Sequence, residues 1–179
     1  MRKVIKKVFL AWNFDKEEKW LNEMAAKGLC LVAVGYCRYE FEECLPGEYT
    51  IRLEMLEQKP NHPESQQYIS FMEETGAEQI GSFLRWVYFR KKTTEGAFEI
   101  FSDYDSRIRH LQRIISLIGV LAGVNIGLGI YNIGLLLTWG TNINLIGSVN
   151  IAIGLWASWG AYRLYKKKNK LGKEKQIYE

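Results

Sequence analysis

The chain has 179 residues, with 24 Lys and Arg against 20 Asp and Glu, three cysteines and 47% hydrophobic residues. The charge is unevenly divided: residues 1–106 carry 14 basic and 18 acidic side chains, whereas residues 107–179 carry 10 and 2. The net charge of +4 thus belongs to the second part, and it argues against a nucleic-acid binder built on the acidic first part.

The N-terminal Met1-Arg2-Lys3-Val4-Ile5-Lys6-Lys7 opens like a signal peptide. Its apolar run, Val8 to Trp12, is short and meets Asp15, Glu17 and Glu18 at once, so no cleaved signal is expected. Residues 4–12 read as a strand. A helix follows over 16–27, with Asp15 as N-cap, Glu18 completing a capping box and Gly28 as the stop. Trp20, Leu21, Met24 and Ala25 form its apolar face. Alternation predicts a second strand over 29–41, a turn at Leu45-Pro46-Gly47-Glu48 and a third strand over 49–56. In the third strand Tyr49, Ile51, Leu53 and Met55 share the buried face, and Thr50, Arg52 and Glu54 take the wet one. Pro63 opens a second helix through Tyr68, Ile69 and Met72, ending before Gly76. The last strand, 80–91, is apolar on both faces, as suits a central strand or one whose outer face is covered. The order βαββαβ predicts an α+β, ferredoxin-like sandwich over residues 1–92, with two helices on a four-stranded antiparallel sheet.

Residues 93–113 read as a connector and a juxtamembrane helix, with Asp103 and Asp105 early and Arg107, Arg109 and Arg113 late. No charged residue or histidine occurs among the 49 residues 114–162. One span needs about 20 apolar residues, so a transmembrane hairpin is expected, with spans near 114–137 and 143–164. Trp139-Gly140-Thr141-Asn142 is its turn, and 165–179 is a basic tail. Lys and Arg flank both outer ends and are missing from the turn, which places both termini in the cytoplasm of a multi-pass cell-membrane protein. Within the spans, Gly119, Gly123 and Gly127 form a ridge of small residues, and Gly147, Gly154 and Ser158 offer a comparable face. Asn125 and Asn150 fall level near mid-bilayer, where an amide needs a protein partner. Gly119, Gly123, Gly127, Gly154, Asn125 and Asn150 are the expected membrane packing interface, for the hairpin itself, for a second copy or for a partner subunit.

Signals of chemistry are sparse. His62 and His110 have no acid or nucleophile partner that the sequence assigns. Cys30, Cys37 and Cys44 recur every seven residues, with no CxxC pair or zinc spacing, and a cytoplasmic domain would keep them reduced. No catalytic residue, cofactor or metal is read. Trp86 and Tyr88 offer a patch for a protein partner or self-association, unless the 93–101 connector covers them.

The stretch Glu18-Lys19-Trp20-Leu21-Asn22-Glu23-Met24-Ala25-Ala26-Lys27-Gly28 is distinctive. With Tyr39-Glu40-Phe41, Pro46-Gly47-Glu48-Tyr49, Tyr68-Ile69 and Glu73-Glu74-Thr75-Gly76, it resembles the bacterial family called domain of unknown function 2812. Ala77 departs from the pattern, because relatives carry Trp after the Gly. The resemblance implies a C-terminal hairpin and a regulatory setting, since members are often encoded beside PadR-type regulators; it implies no enzymatic activity. The expected function is a membrane-anchored cytoplasmic binding or sensing module acting through protein contacts on a cytoplasmic regulator. The alternative is an accessory subunit of a larger membrane transport complex. Membrane lipids and a protein partner are expected, a homo-oligomer is compatible, and nucleic acid is not.

Overall fold

Six strands and two helices make up the first unit, Met1–Ser102, in the computed structural model, which describes residues 2–139 and 144–178. Strands β1 (Lys3–Lys6), β2 (Leu29–Gly35) and β3 (Arg38–Glu43) form one antiparallel sheet in the order β1-β3-β2, and helix α1 (Phe14–Ala26) joins β1 to β2. Strands β4 (Tyr49–Met55), β5 (Glu78–Phe83) and β6 (Trp86–Lys92) form a second in the order β4-β6-β5, with helix α2 (Pro63–Glu74) between β4 and β5.

The two halves therefore repeat one βαββ unit. The repeat is visible in sequence at a displacement of 48 positions: Trp20-Leu21, Met24 and Gly28 against Tyr68-Ile69, Met72 and Gly76. Gly28 (φ +77°) and Gly76 (φ +87°) both follow their helices in the left-handed conformation that glycine adopts without penalty. A bulge then breaks β2 between Leu31 and Ala33, and another breaks β5 between Gln79 and Gly81. The sheets meet where Gly81 approaches Val34 so closely that a Cβ on Gly81 would lie 3.5 Å from the Val34 nitrogen.

The α+β class holds, but the βαββαβ order over one four-stranded sheet does not. Each long expected strand contains a reversal, at Tyr36-Cys37 and at Leu84-Arg85. Neither pair holds the Gly, Asn or Asp that marks a two-residue hairpin. Cys37 (φ 51°) and Leu84 (φ 57°) take the left-handed conformation all the same, so the turns are silent in sequence. The turn at 45–48 forms as expected, with the Glu48 N–H donating to the Leu45 carbonyl at 3.0 Å. It carries the chain from one sheet to the other, so β3 and β4 are not hairpin partners. The first strand ends at Lys6, because Ala11–Asn13 forms a 3-10 turn that buries Trp12. Helix α1 starts at Phe14 with no side-chain cap: Asp15 lies inside its first turn, and the Glu18 carboxylate turns to β4 instead of back to the helix.

β6 is central and apolar on both faces, as its sequence predicted. On one side Tyr88 joins Leu21, Leu31, Tyr39, Phe41, Ile51 and Leu53. On the other Val87 and Phe89 join Leu56, Ile69, Met72, Ala77 and Phe98. Each fully buried side chain of this size contributes about 1.5–3 kcal/mol. Phe98 closes the second cluster from the connector.

The second unit, Asp103–Glu179, holds two long helices, α3 (Tyr104–Trp139) and α4 (Asn144–Tyr178). They run antiparallel. Lys168 donates to Gln112 at 2.8 Å and Lys175 reaches Asp105 at 2.6 Å near one end, while Gly129 packs on Gly147 and Ile151 further along. Among the described residues one helix is long and apolar enough to cross a membrane, over Tyr104–Leu135. Val120, Leu121, Val124, Leu128 and Ile130 are exposed along it. The expected turn at Gly140-Thr141-Asn142 lies outside the described residues.

Candidate functional site

Helix α1 brings a carboxylate into the first core. Glu17 is 8% exposed, although Glu is among the residues least often buried. Its Oε1 accepts a hydrogen bond from the Tyr39 hydroxyl at 2.7 Å and another from the Tyr88 hydroxyl at 2.6 Å. Tyr39 lies on β3 and Tyr88 on β6, so each half of the repeat supplies one donor. Among the described residues no Lys, Arg or His lies within ion-pair distance of Glu17.

The electrostatics follow from that geometry. Burial raises the Glu17 carboxyl above its ordinary value, and the two tyrosine hydrogen bonds offset part of the rise. Burial, then the hydrogen bond and the charge of Glu17, push the Tyr39 hydroxyl well above the usual tyrosine range. Tyr88 moves the same way, through burial and then the Glu17 charge. Both phenols therefore stay protonated and keep donating. The surroundings are aromatic: Trp20 meets Tyr39 edge-on at 5.1 Å and Phe41 at 5.7 Å, and Phe14 lies 5.8 Å from Trp86. Lys7 sits outside this group, its Nζ 4.4 Å from the Trp20 ring centre. A buried carboxylate held by neutral donors, without a counter-cation, can take up a proton or accept a bond from a cationic group.

The sequence reading passed over Glu17, yet the signal was present. Residues 17, 20, 21 and 24 share one helix face, and Glu17 is the charged member of that apolar set. Glu54 is a parallel case: expected on the wet face of its strand, it is 4% exposed and accepts from the Tyr68 hydroxyl at 2.6 Å.

The residues singled out by sequence fall in several places. Tyr88 is buried and committed to Glu17, and Trp86 lies at the edge of the same core. Within the second unit, a Cβ on Gly154 would lie 2.5 Å from Ile126 Cγ1 and 3.0 Å from the Ala122 carbonyl, so α3 and α4 are in close contact there. Gly147, read from sequence on the same face, makes the same close contact with Gly129, which was not singled out. Gly119, Gly123 and Gly127 have open space within 4 Å of their Cβ positions. The Asn125 amide donates to the Leu121 carbonyl at 2.8 Å, and Asn150 is half-buried. His110 is buried on α3. The expectation of three reduced thiols is overturned: Cys30 and Cys44 form a disulfide, and Cys37 is free. The bulge and the β3 turn bring Cys30 and Cys44 to a Cα separation of 5.9 Å, which strand periodicity alone does not anticipate.

No curated protein and no solved structure matches the chain. Residues 13–122 match the family described as "Protein of unknown function (DUF2812)", and this match spans both helices and strands β2 to β6 of the first unit, but not β1, and the first part of α3. With more than half of its length matched, the chain belongs to the DUF2812 family.

Proposed function

We propose that the chain is a membrane-anchored sensing or binding module whose α/β unit lies in the cytoplasm and regulates through protein contacts. In this reading α3 and α4 cross the bilayer together and both termini are cytoplasmic. The uncharged stretch 114–162 and the Lys and Arg at its outer flanks support it. The observation that carries the sensing role is Glu17, buried without a counter-cation among the described residues and held by one tyrosine from each half of the repeat. The packing of the halves then depends on whether Glu17 holds a proton, a cation or neither, and a bistable element of that kind is what a regulator reads.

Crosslinking capture of the full-length protein from native membranes tests the reading, with Glu17→Gln run beside the wild type. The expected result is a protein partner whose recovery changes with Glu17→Gln. Equal recovery from both, or no partner from either, counts against it. Topology is tested at Cys37, the free, half-exposed thiol of the β2–β3 turn. A membrane-impermeant maleimide should label Cys37 only after cells are opened; labelling of intact cells would place the α/β unit outside.

A second reading, an accessory subunit of a larger membrane complex, is favoured by the open space at Gly119, Gly123 and Gly127. A ridge of small residues facing away from α4 lets another helix approach closely, from a second copy or a membrane partner. Gly123→Leu should then break a complex seen on native gels; an unchanged complex argues against this reading.

A further inference from the structure

We propose that Cys30, Cys44 and Glu48 form a redox-gated site for a thiophilic divalent cation, with zinc the best match to the donor set. The two sulfurs and a Glu48 carboxylate oxygen all lie within 4.8 Å of one another. Cys30 is buried on β2, whereas Cys44 and Glu48 are half-buried on the turn that leads to β4, so the cluster has a floor and an open side. A structural disulfide has no need of the carboxylate. Here Glu48 is aimed by its own turn, its Oε2 accepting the Leu45 N–H at 3.2 Å.

The backbone fixes the site independently of the sulfur–sulfur bond. The Cys44 N–H donates to the Gly28 carbonyl at 3.0 Å, and the Gly47 N–H donates to the Ala25 carbonyl at 2.9 Å. Gly28 permits this approach: its φ is +77°, and a Cβ there would lie 2.9 Å from the Cys44 carbonyl oxygen. The ligand-bearing turn is thus clamped to the end of α1 whether or not the sulfurs are bonded.

Opening the site takes two electrons and two protons. A low-molecular-weight thiol attacks one sulfur as its thiolate, the Cys30–Cys44 bond breaks, and a mixed disulfide forms. A second such thiol releases it, leaving two protein thiols and one small-molecule disulfide. The cation then displaces the two thiol protons. Zinc–thiolate bonds of about 2.3 Å at tetrahedral angles set the sulfurs roughly 3.8 Å apart. Rotation of the half-buried Cys44 side chain supplies that separation. Two thiolates and a carboxylate make a three-ligand set that selects zinc over the harder magnesium or calcium and leaves a fourth position for water. Oxidation of the thiols expels the metal, so metal and disulfide exclude each other.

The test uses the full-length protein in detergent, reduced with a phosphine and offered zinc alone or cobalt(II) alone. Reduced protein should retain one zinc per chain, and its cobalt form should show a thiolate charge-transfer band. Oxidised glutathione should release the metal. Cys44→Ser should abolish the band, Cys37→Ser should leave it intact, and Glu48→Gln should weaken zinc retention by about tenfold or more. Cys44 and Glu48 are half-buried on a turn, so their variants keep the core. No band in the reduced wild type overturns the proposal. So does a band that survives Cys44→Ser, or zinc retained by the oxidised protein.

Discussion

Asn22 and Ile51 satisfy one another completely: the Asn22 amide donates to the Ile51 carbonyl, and the Ile51 N–H donates to the Asn22 amide oxygen, both at 2.9 Å. A helix side chain thus imitates a neighbouring strand. One turn earlier, the Glu18 carboxylate takes the Leu53 N–H at 3.0 Å and pairs with Arg52 at 3.1 Å. β4 is the outer strand of its sheet, with only β6 beside it. Its free edge would otherwise offer unpaired backbone groups to another chain. The distinctive Glu18-to-Gly28 stretch is therefore an edge-sealing device as well as a helix.

Replacing Asn22 with Ala removes that seal. It leaves the Ile51 N–H and carbonyl without their partner, at a cost of about 1–3 kcal/mol. For a domain of this size each kcal/mol lowers Tm by about 4–8 °C. The opened edge should also promote self-association, read by size-exclusion chromatography. An unchanged Tm in thermal denaturation would show that the edge is satisfied by other means.

Glu17 gives stability a pH dependence of defined sign. Its folded value is raised by burial, so between the unfolded and folded values the folded state holds a proton that the unfolded chain has released. The stability that Glu17 contributes is complete below its unfolded value and is lost as pH rises through the folded one. Glu17→Gln keeps the shape and the acceptor oxygen while removing the charge. Its Tm should exceed that of the wild type at about pH 8 and converge with it near pH 4. A gap that does not change with pH would mean that Glu17 is uncharged throughout, or better solvated than its burial implies.

Much of this was legible in the chain and some was not. Periodicity placed the two helices, the β4 face of Ile51, Leu53 and Met55, and the doubly apolar β6, because burial writes itself into spacing. The reversals at Tyr36-Cys37 and Leu84-Arg85 were hidden, because surrounding packing holds bulky residues where turn chemistry alone would select Gly or Asn. Without them four strands were counted in place of six, and the βαββ repeat stayed invisible. Glu17 was missed for another reason. A charge on an apolar helix face reads as solvated until its two tyrosine donors, 22 and 71 residues away in sequence, are seen to converge on it.

Tyr39 and Tyr88 donate to the same oxygen, so their deletions should not add. Tyr88→Phe removes a hydrogen bond to a charged acceptor, with a cost of about 1.5–3 kcal/mol, and Tyr39→Phe should behave similarly. With one donor gone the remaining one tightens its hold, and loss of both leaves the carboxylate bare. The double variant should therefore lose more than the sum of the singles at neutral pH, and the coupling should shrink in acid, where Glu17 is protonated. Chemical denaturation of the four proteins measures it; strict additivity would separate the two tyrosines energetically.

The glycines of the second unit divide by what surrounds them. A Cβ on Gly147 would meet Ile133 at 3.0 Å and the Gly129 carbonyl at 3.2 Å, whereas one on Gly123 meets nothing within 4 Å. Gly147→Leu should therefore force α3 and α4 apart and lower the thermal stability of the detergent-solubilised protein. Gly123→Leu should leave that stability unchanged or slightly raised, since Leu favours the helix by just under about 1 kcal/mol relative to Gly. Circular dichroism melts in a mild detergent make the comparison. Equal losses would mean that Gly123 packs against a second copy present in the same micelle, and dilution into excess detergent should then abolish the Gly123→Leu effect while the Gly147→Leu effect persists.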